Sequence, residues 1–207
     1  HKQEQHGFSF DKTAAEKLFT TLNTRRLELE SELQNIFPPI VERTKFIPKV
    51  NNKSRGYVKG VPYMKCKKVA FNPSSRMHIA QRLKDKYDWQ PEEFTPDGKP
   101  KVDEATLSEM RDLALQQGNT KLHEECEMFI RLLTLQKWMG QLSEGSNSWF
   151  NTIEEDGCIH HSCSLATQTG RNAHRGPNLG QVVSAPWARE LFVPHPGHVM
   201  VGADLEG

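Results

Sequence analysis

Residues 167–183, TQTGRNAHRGPNLGQVV, gather guanidinium, imidazole and amide side chains between glycines. Arg171 is a long donor able to enter a minor groove, where purine N3 and pyrimidine O2 acceptors occupy similar places whatever the base pair. Asn178 and Gln181 each donate and accept hydrogen bonds in the same setting. Such groups suit contact with duplex shape rather than sequence. A solvated polar loop accounts for the same composition.

Four other groupings invite a chemical reading. Asp204 ends the apolar run HVMVGAD, and a carboxylate held at a strand end is well placed to bind a divalent cation. A phosphoryl-transfer centre also needs a second acid from another segment. Ser74, Ser75 and Arg76 open a helix, where free N–H groups, hydroxyls and a guanidinium converge on a phosphate or where a serine simply caps the first turn. Arg131 and Lys137 sit on a later helix and reach a nucleic-acid backbone or point into water. CIHHSC, residues 158–163, suggests zinc. However, adjacent His160 and His161 on a strand point to opposite faces, and no second ligand pair follows at zinc-site spacing, so no metal is expected there.

The formal charge of +1 hides an uneven distribution. Arg43, Lys45, Lys49, Lys53, Arg55, Lys59, Lys65, Lys67 and Lys68 face the single acid Glu42 in the stretch between Pro39 and Lys68. That run reads as a polyanion-facing loop or as a solvated basic one. The 4 cysteines lack the density of a secreted disulfide scaffold. No apolar run approaches the ~20 residues of a membrane span, and no signal peptide opens the chain. A soluble protein of a reducing compartment is the expectation.

The elements that must position these groups are mostly helical at first. Leu18, Leu22, Leu29, Leu33 and Ile36 recur at helical spacing over 11–36, begun by an Asp11 cap and stopped by Pro38-Pro39. Further helices are predicted from 74 or 75 to about 83, from 104 to 117 ending at Gly118, and from 120 to 142. The basic stretch 40–68 shows little periodicity and reads as an inserted loop or small irregular subdomain. After Gly145 the texture changes: 148–162 reads as strand, Asp156-Gly157 turn and strand, and 198–205 as a strand buried on both faces. The fold class is α+β, with a domain boundary near 145–150.

Taken together, FSFDKTAAEKLFTTL, VAFNPSSRMHIAQRL, LQKWMGQLSEG, EDGCIHHS, TGRNAHRGPNLGQ and GADLEG, in this order, resemble an A-family (Pol I-like) DNA polymerase, in particular the replicative polymerases of short-tailed bacteriophages. The resemblance covers essentially the whole chain. It implies a helical thumb at 1–150, with the basic insertion at 40–68, followed by the first antiparallel palm strands at 151–207. It implies primer-template contacts from Ser74, Ser75, Arg76, Arg131, Lys137, Thr169, Arg171, Asn178 and Gln181. It also makes Asp204 the first catalytic aspartate, binding two Mg²⁺ ions with the backbone carbonyl of Leu205.

The implied activity is DNA-directed DNA polymerisation in replication, with primer-template DNA and dNTP as partners, in the bacterial host cytoplasm and away from membranes. The alternative is a non-catalytic module that grips primer-template DNA. Glu206 stands where the family motif usually has a small Ser. Residues 40–68 lie where some phage enzymes carry a longer insertion for the processivity factor thioredoxin; the shorter length here argues against that partner and leaves electrostatic DNA contact. The family's fingers helix, second catalytic aspartate and exonuclease domain have no counterpart in the 207 residues. The chain alone is therefore expected to be inactive, as a fragment or as one half of a split enzyme completed by a C-terminal polymerase part.

Overall fold

A computed structural model describes residues 2–165, 167, 171–183 and 185–202. In chain order the elements are α1 (Lys2–His6), β1 (Phe8–Phe10), α2 (Lys12–Ile36), β2 (Ile40–Phe46), β3 (Tyr63–Val69), α3 (Arg76–Tyr87), α4 (Glu104–Gln116), α5 (Thr120–Ser143), α6 (Trp149–Thr152), β4 (Cys158–Ile159), β5 (Ser162–Ser164), β6 (Ala173–Arg175), α7 (Pro186–Arg189) and β7 (Phe192–Val193). Short 3-10 turns lie at Lys53–Arg55 and Leu179–Gln181. Helices and antiparallel strands together make an α+β fold.

The long helices start and stop where local chemistry dictates. Asp11 Oδ1 accepts from Ala14 N at 2.8 Å, which satisfies one of the free amides at the start of α2. Ser75 caps α3, Asp103 Oδ1 caps α4 by accepting from Thr106 N at 2.9 Å, and Asn119 Oδ1 accepts from Leu122 N at 3.2 Å at the start of α5. Asp88 closes α3 at φ 53, a left-handed position that Asp tolerates better than most residues.

The chain separates into two compact units, 27–134 and 1–26 with 135–207, divided within α2 and α5. Within 27–134 the core is aromatic: Phe37 lies 5.1 Å from Phe71 and 5.5 Å from Phe129, centroid to centroid. Leu29, Leu33, Ile79, Leu83 and Leu107 are buried in this unit. Glu125 is a buried carboxylate that accepts from Lys86 Nζ and, at 2.9 Å, from the Tyr87 hydroxyl. Burial, then the Glu125 bond, push the Tyr87 phenol well above its ordinary range.

Residues 40–69 are not the irregular loop expected from sequence. β2 and β3 pair antiparallel over their full length, from Ile40↔Val69 to Phe46↔Tyr63. An aromatic cluster of Phe46, Tyr57 and Tyr63 closes the far end, where Tyr63 Oη donates to Gly56 O at 2.7 Å. The ribbon escapes a periodicity test because its middle residues are exposed on both faces, so no apolar alternation marks it.

In the other unit β1 is the middle strand of a three-stranded sheet ordered β4-β1-β7. Phe8 pairs with Ile159 and Phe10 with Phe192. Phe10, Trp149 and Phe192 form an edge-to-face cluster at 5.2–5.9 Å beneath this sheet. Of the strands expected here, the one before the Asp156-Gly157 turn is not formed. Residues 149–152 form one helical turn, which buries Trp149 against Phe10 and Phe192 and overrides the strand preference of an aromatic and β-branched run. The turn at Asp156-Gly157 does form, joined by the Ile153↔Ile159 bridge.

Residues 198–202 are likewise not a strand, and Val199 and Val201 are more than four-fifths exposed. Among the described residues no strand pairs with them, so their backbone groups have no ladder to join.

Candidate nucleic-acid interface

Residues 171–183 of the polar segment belong to the unit of residues 1–26 and 135–207. β6 carries Ala173–Arg175, and after Gly176-Pro177, joined by a cis bond, Asn178 caps the 3-10 turn by accepting from Gly180 N at 3.1 Å. Gln141 Nε2 on α5 donates to the Gln181 carbonyl at 3.2 Å and ties the turn to the helix. Gln141, Asn147, His174, Arg175, Asn178 and Gln181 line a cleft of about 460 Å³, with Trp149 as an apolar wall.

These groups are mainly donors and amides, and Arg175, Asn178 and Gln181 are exposed. The cleft therefore offers what a phosphate, sugar or base edge accepts. The structure places Asn178 and Gln181 in the lining of one cleft. Arg171 is exposed and outside the cleft lining, its carbonyl accepting from Thr167 Oγ1 at 2.6 Å. Gln141, Asn147, His174 and Arg175 are additions that the sequence does not single out. His174 and Arg175 belong to the polar stretch 167–183 and are legible there; Gln141 and Asn147 come from a different segment and carry no signal.

On the unit of residues 27–134, Ser75 caps α3 and Ser74 Oγ donates to Glu30 Oε1 at 2.9 Å. Arg76 Nη1 donates to the Val102 carbonyl. Arg131 Nε donates to Glu127 Oε1 at 3.1 Å, and Arg111 Nη1 takes the other oxygen at 3.1 Å. Arg111 first, then Arg131, hold the Glu127 carboxyl below the usual range. Lys137 is exposed on α5. All the basic side chains of the β2–β3 ribbon, from Arg43 to Lys68, are exposed, and Lys65 Nζ lies 3.8 Å over the Phe46 ring.

Thr169, Asp204 and Leu205 lie outside the described residues. Among the described residues two groupings of side chains can hold a cation, His161 with Cys163 and His174, and Asp156 with Cys158 and His160. Both contain thiol and imidazole donors, which suit Mg²⁺ poorly. The second is a hydrogen-bonded turn: Asp156 Oδ2 (2.9 Å) and the Glu4 carbonyl (2.8 Å) are the acceptors that His160 faces, and these two contacts raise its imidazole above the ordinary range, the Glu4 carbonyl most. Among the described residues no helix is long and apolar enough to cross a membrane.

The architecture has the fold of part of a Pol I polymerase domain. It superposes on the polymerase domain of Pol1 from M. smegmatis, solved in complex with a DNA primer-template and dNTP, with a TM-score of 0.61 over 96% of this chain and 28% of that one, at 17% sequence identity. No family model matches the sequence. The DNA-directed DNA polymerases of Enterobacteria phage T3 and Escherichia phage T7 are each 34% identical to it over 91% of this chain. The chain is similar in sequence to these two phage DNA-directed DNA polymerases, and it spans about a third (32%) of their length.

Proposed function

We propose that these residues are the primer-template-holding part of a DNA-directed DNA polymerase acting in DNA replication in the cytoplasm of a bacterial host. The observation that carries this reading is the 34% identity to two phage DNA-directed DNA polymerases along 91% of the chain. In this reading residues 1–150 are the thumb and 151–207 the start of the palm. The exposed cations of the β2–β3 ribbon, with Arg76, Arg131 and Lys137, neutralise backbone phosphates, and the Ser74 and Ser75 hydroxyls hydrogen-bond to them. Thr169, Arg171, Asn178 and Gln181 hold the primer end in the minor groove, joined by Arg175, which lines one cleft with Asn178 and Gln181.

Asp204 and the Leu205 carbonyl would bind Mg²⁺, which supplies positive charge to the attacking and leaving oxygens of nucleotidyl transfer. Incoming dNTP binds where a further polymerase part provides the fingers and the second carboxylate. The 207 residues alone bind DNA without extending it. The second reading, a DNA-gripping module without chemistry, draws on the exposed basic side chains of the β2–β3 ribbon.

One experiment separates the two: primer extension by this chain mixed with the remaining polymerase part, with and without Asp204→Ala. Extension that depends on both parts and vanishes in Asp204→Ala is expected. Salt-sensitive DNA binding with no extension from any mixture would leave the module reading, and extension that survives Asp204→Ala would remove the metal role of that residue.

A further inference from the structure

The β5–β6 ladder places Cys163 directly opposite His174. His161 lies two residues before Cys163, so the pleat returns it to the same side. Cys163 Sγ is 3.1 Å from His161 Nε2 and 3.6 Å from His174 Nδ1. The two imidazoles stack at 5.0 Å, and the three donor atoms all lie within 4.8 Å of one another. In a tetrahedral zinc site, with Zn–S of about 2.3 Å and Zn–N of about 2.0–2.1 Å, neighbouring donors stand roughly 3.3–3.6 Å apart. The sulfur-to-nitrogen separations already fall close to that range.

We propose that His161, Cys163 and His174 form a binding site for Zn²⁺, in which a thiolate and two neutral imidazoles serve as ligands and an exchangeable ligand completes the tetrahedron. His160 does turn away, to Asp156 and Glu4, as adjacent histidines on a strand must. In the proposed site the further ligand comes from His174 across the ladder rather than from a spaced repeat of the motif, a source that the spacing argument against metal at CIHHSC does not consider.

Two features hold the donors in place. His161 is 3% exposed, with its ring against Phe8 at 5.6 Å, so Nε2 is fixed toward the sulfur. Glu4 Oε1 accepts from the Cys163 amide at 2.6 Å and anchors the middle of β5. The donor set of one sulfur and two nitrogens selects Zn²⁺ or similar borderline ions over Mg²⁺, so this site is chemically distinct from a polymerase metal centre. Because His174 also lines the cleft beside Arg175 and Asn178, the ion would brace the strand that carries Arg175 and leads into the turn capped by Asn178.

The test uses the reduced protein and Co²⁺ as a spectroscopic probe for the Zn²⁺ position, with bound zinc counted by elemental analysis. One metal per chain is expected, giving a thiolate-to-Co²⁺ charge-transfer band that Zn²⁺ abolishes by displacement. Cys163→Ser and, in a second variant with less effect on packing, His174→Gln should each lose the band; Cys158→Ser combined with His160→Ala should keep it. Absence of the band in the unsubstituted protein overturns the proposal. So does a band that survives both Cys163→Ser and His174→Gln, or one lost only in the Cys158 and His160 variant.

Discussion

Gln141 on α5 donates its side-chain amide to the main-chain carbonyl of Gln181 at 3.2 Å. It is the hydrogen bond that fastens the turn bearing Asn178 to a long helix. Since Gln141 is only partly buried, Gln141→Ala removes one ordinary hydrogen bond and should lower global stability by no more than about 1 kcal/mol. Amide hydrogen exchange at 179–182 should nevertheless accelerate while the rest of the chain is unchanged. Unaltered exchange there would show that the turn holds its shape without this bond.

The β2–β3 ribbon gives a prediction that salt can read. Lys65, Lys67 and Lys68 are exposed on β3 and, with their neighbours, oppose the single acid Glu42. Replacing all three by Ala should weaken primer-template binding and flatten the plot of log affinity against log salt by about 0.9 for each duplex phosphate that the ribbon no longer neutralises. Fluorescence anisotropy across a salt series checks this. An unchanged slope would mean that the ribbon stays in solvent when DNA binds.

Phe129 meets Phe37 at 5.5 Å and Phe71 at 6.2 Å in the core of residues 27–134 and is wholly buried. Phe129→Ala removes the ring on which both partners pack and should cost about 3–5 kcal/mol, measured by denaturant unfolding. A loss below about 1 kcal/mol would mean that the core collapses onto the space or that this cluster is not the centre of the unit.

Cys126 supplies a pH signature. Burial first, and then the nearby Glu125 charge, push its thiol up to about 12, while Arg111 pulls slightly the other way. A raised value means that the folded state holds the proton more tightly than the unfolded chain. Its stabilising contribution is therefore complete below the ordinary thiol range and lost as pH rises from about 9 toward 12. Tyr87, raised for similar reasons, extends the loss to higher pH. Cys126→Ala should lower stability modestly at neutral pH and make the alkaline decline shallower, as followed by unfolding midpoints across the pH series. An equally steep decline in the variant would remove Cys126 as its source.

The features legible in the sequence are those written in short windows. α2, α3, α4 and α5 were legible because an Asp11 or Ser75 cap, the stop at Gly118 or an apolar stripe at helical spacing acts within one or two turns. The ordered motifs that mark an A-family polymerase were legible for the same reason: each is a contiguous run. Asn178 and Gln181 could be chosen as candidates from their chemistry, and the cleft does contain both.

Only the tertiary structure decided which distant segments meet. It made Phe8–Phe10 the central strand between Cys158–Ile159 and Phe192–Val193, paired the basic stretch into a ribbon, and added Gln141 and Asn147 to the cleft. It also turned Trp149 inward on a helical turn and set His174 against Cys163. Strand register and side-chain convergence depend on backbone pairing and packing between segments far apart along the chain. Neither leaves a periodic mark within the segments themselves when, as in β2 and β3, both faces meet water.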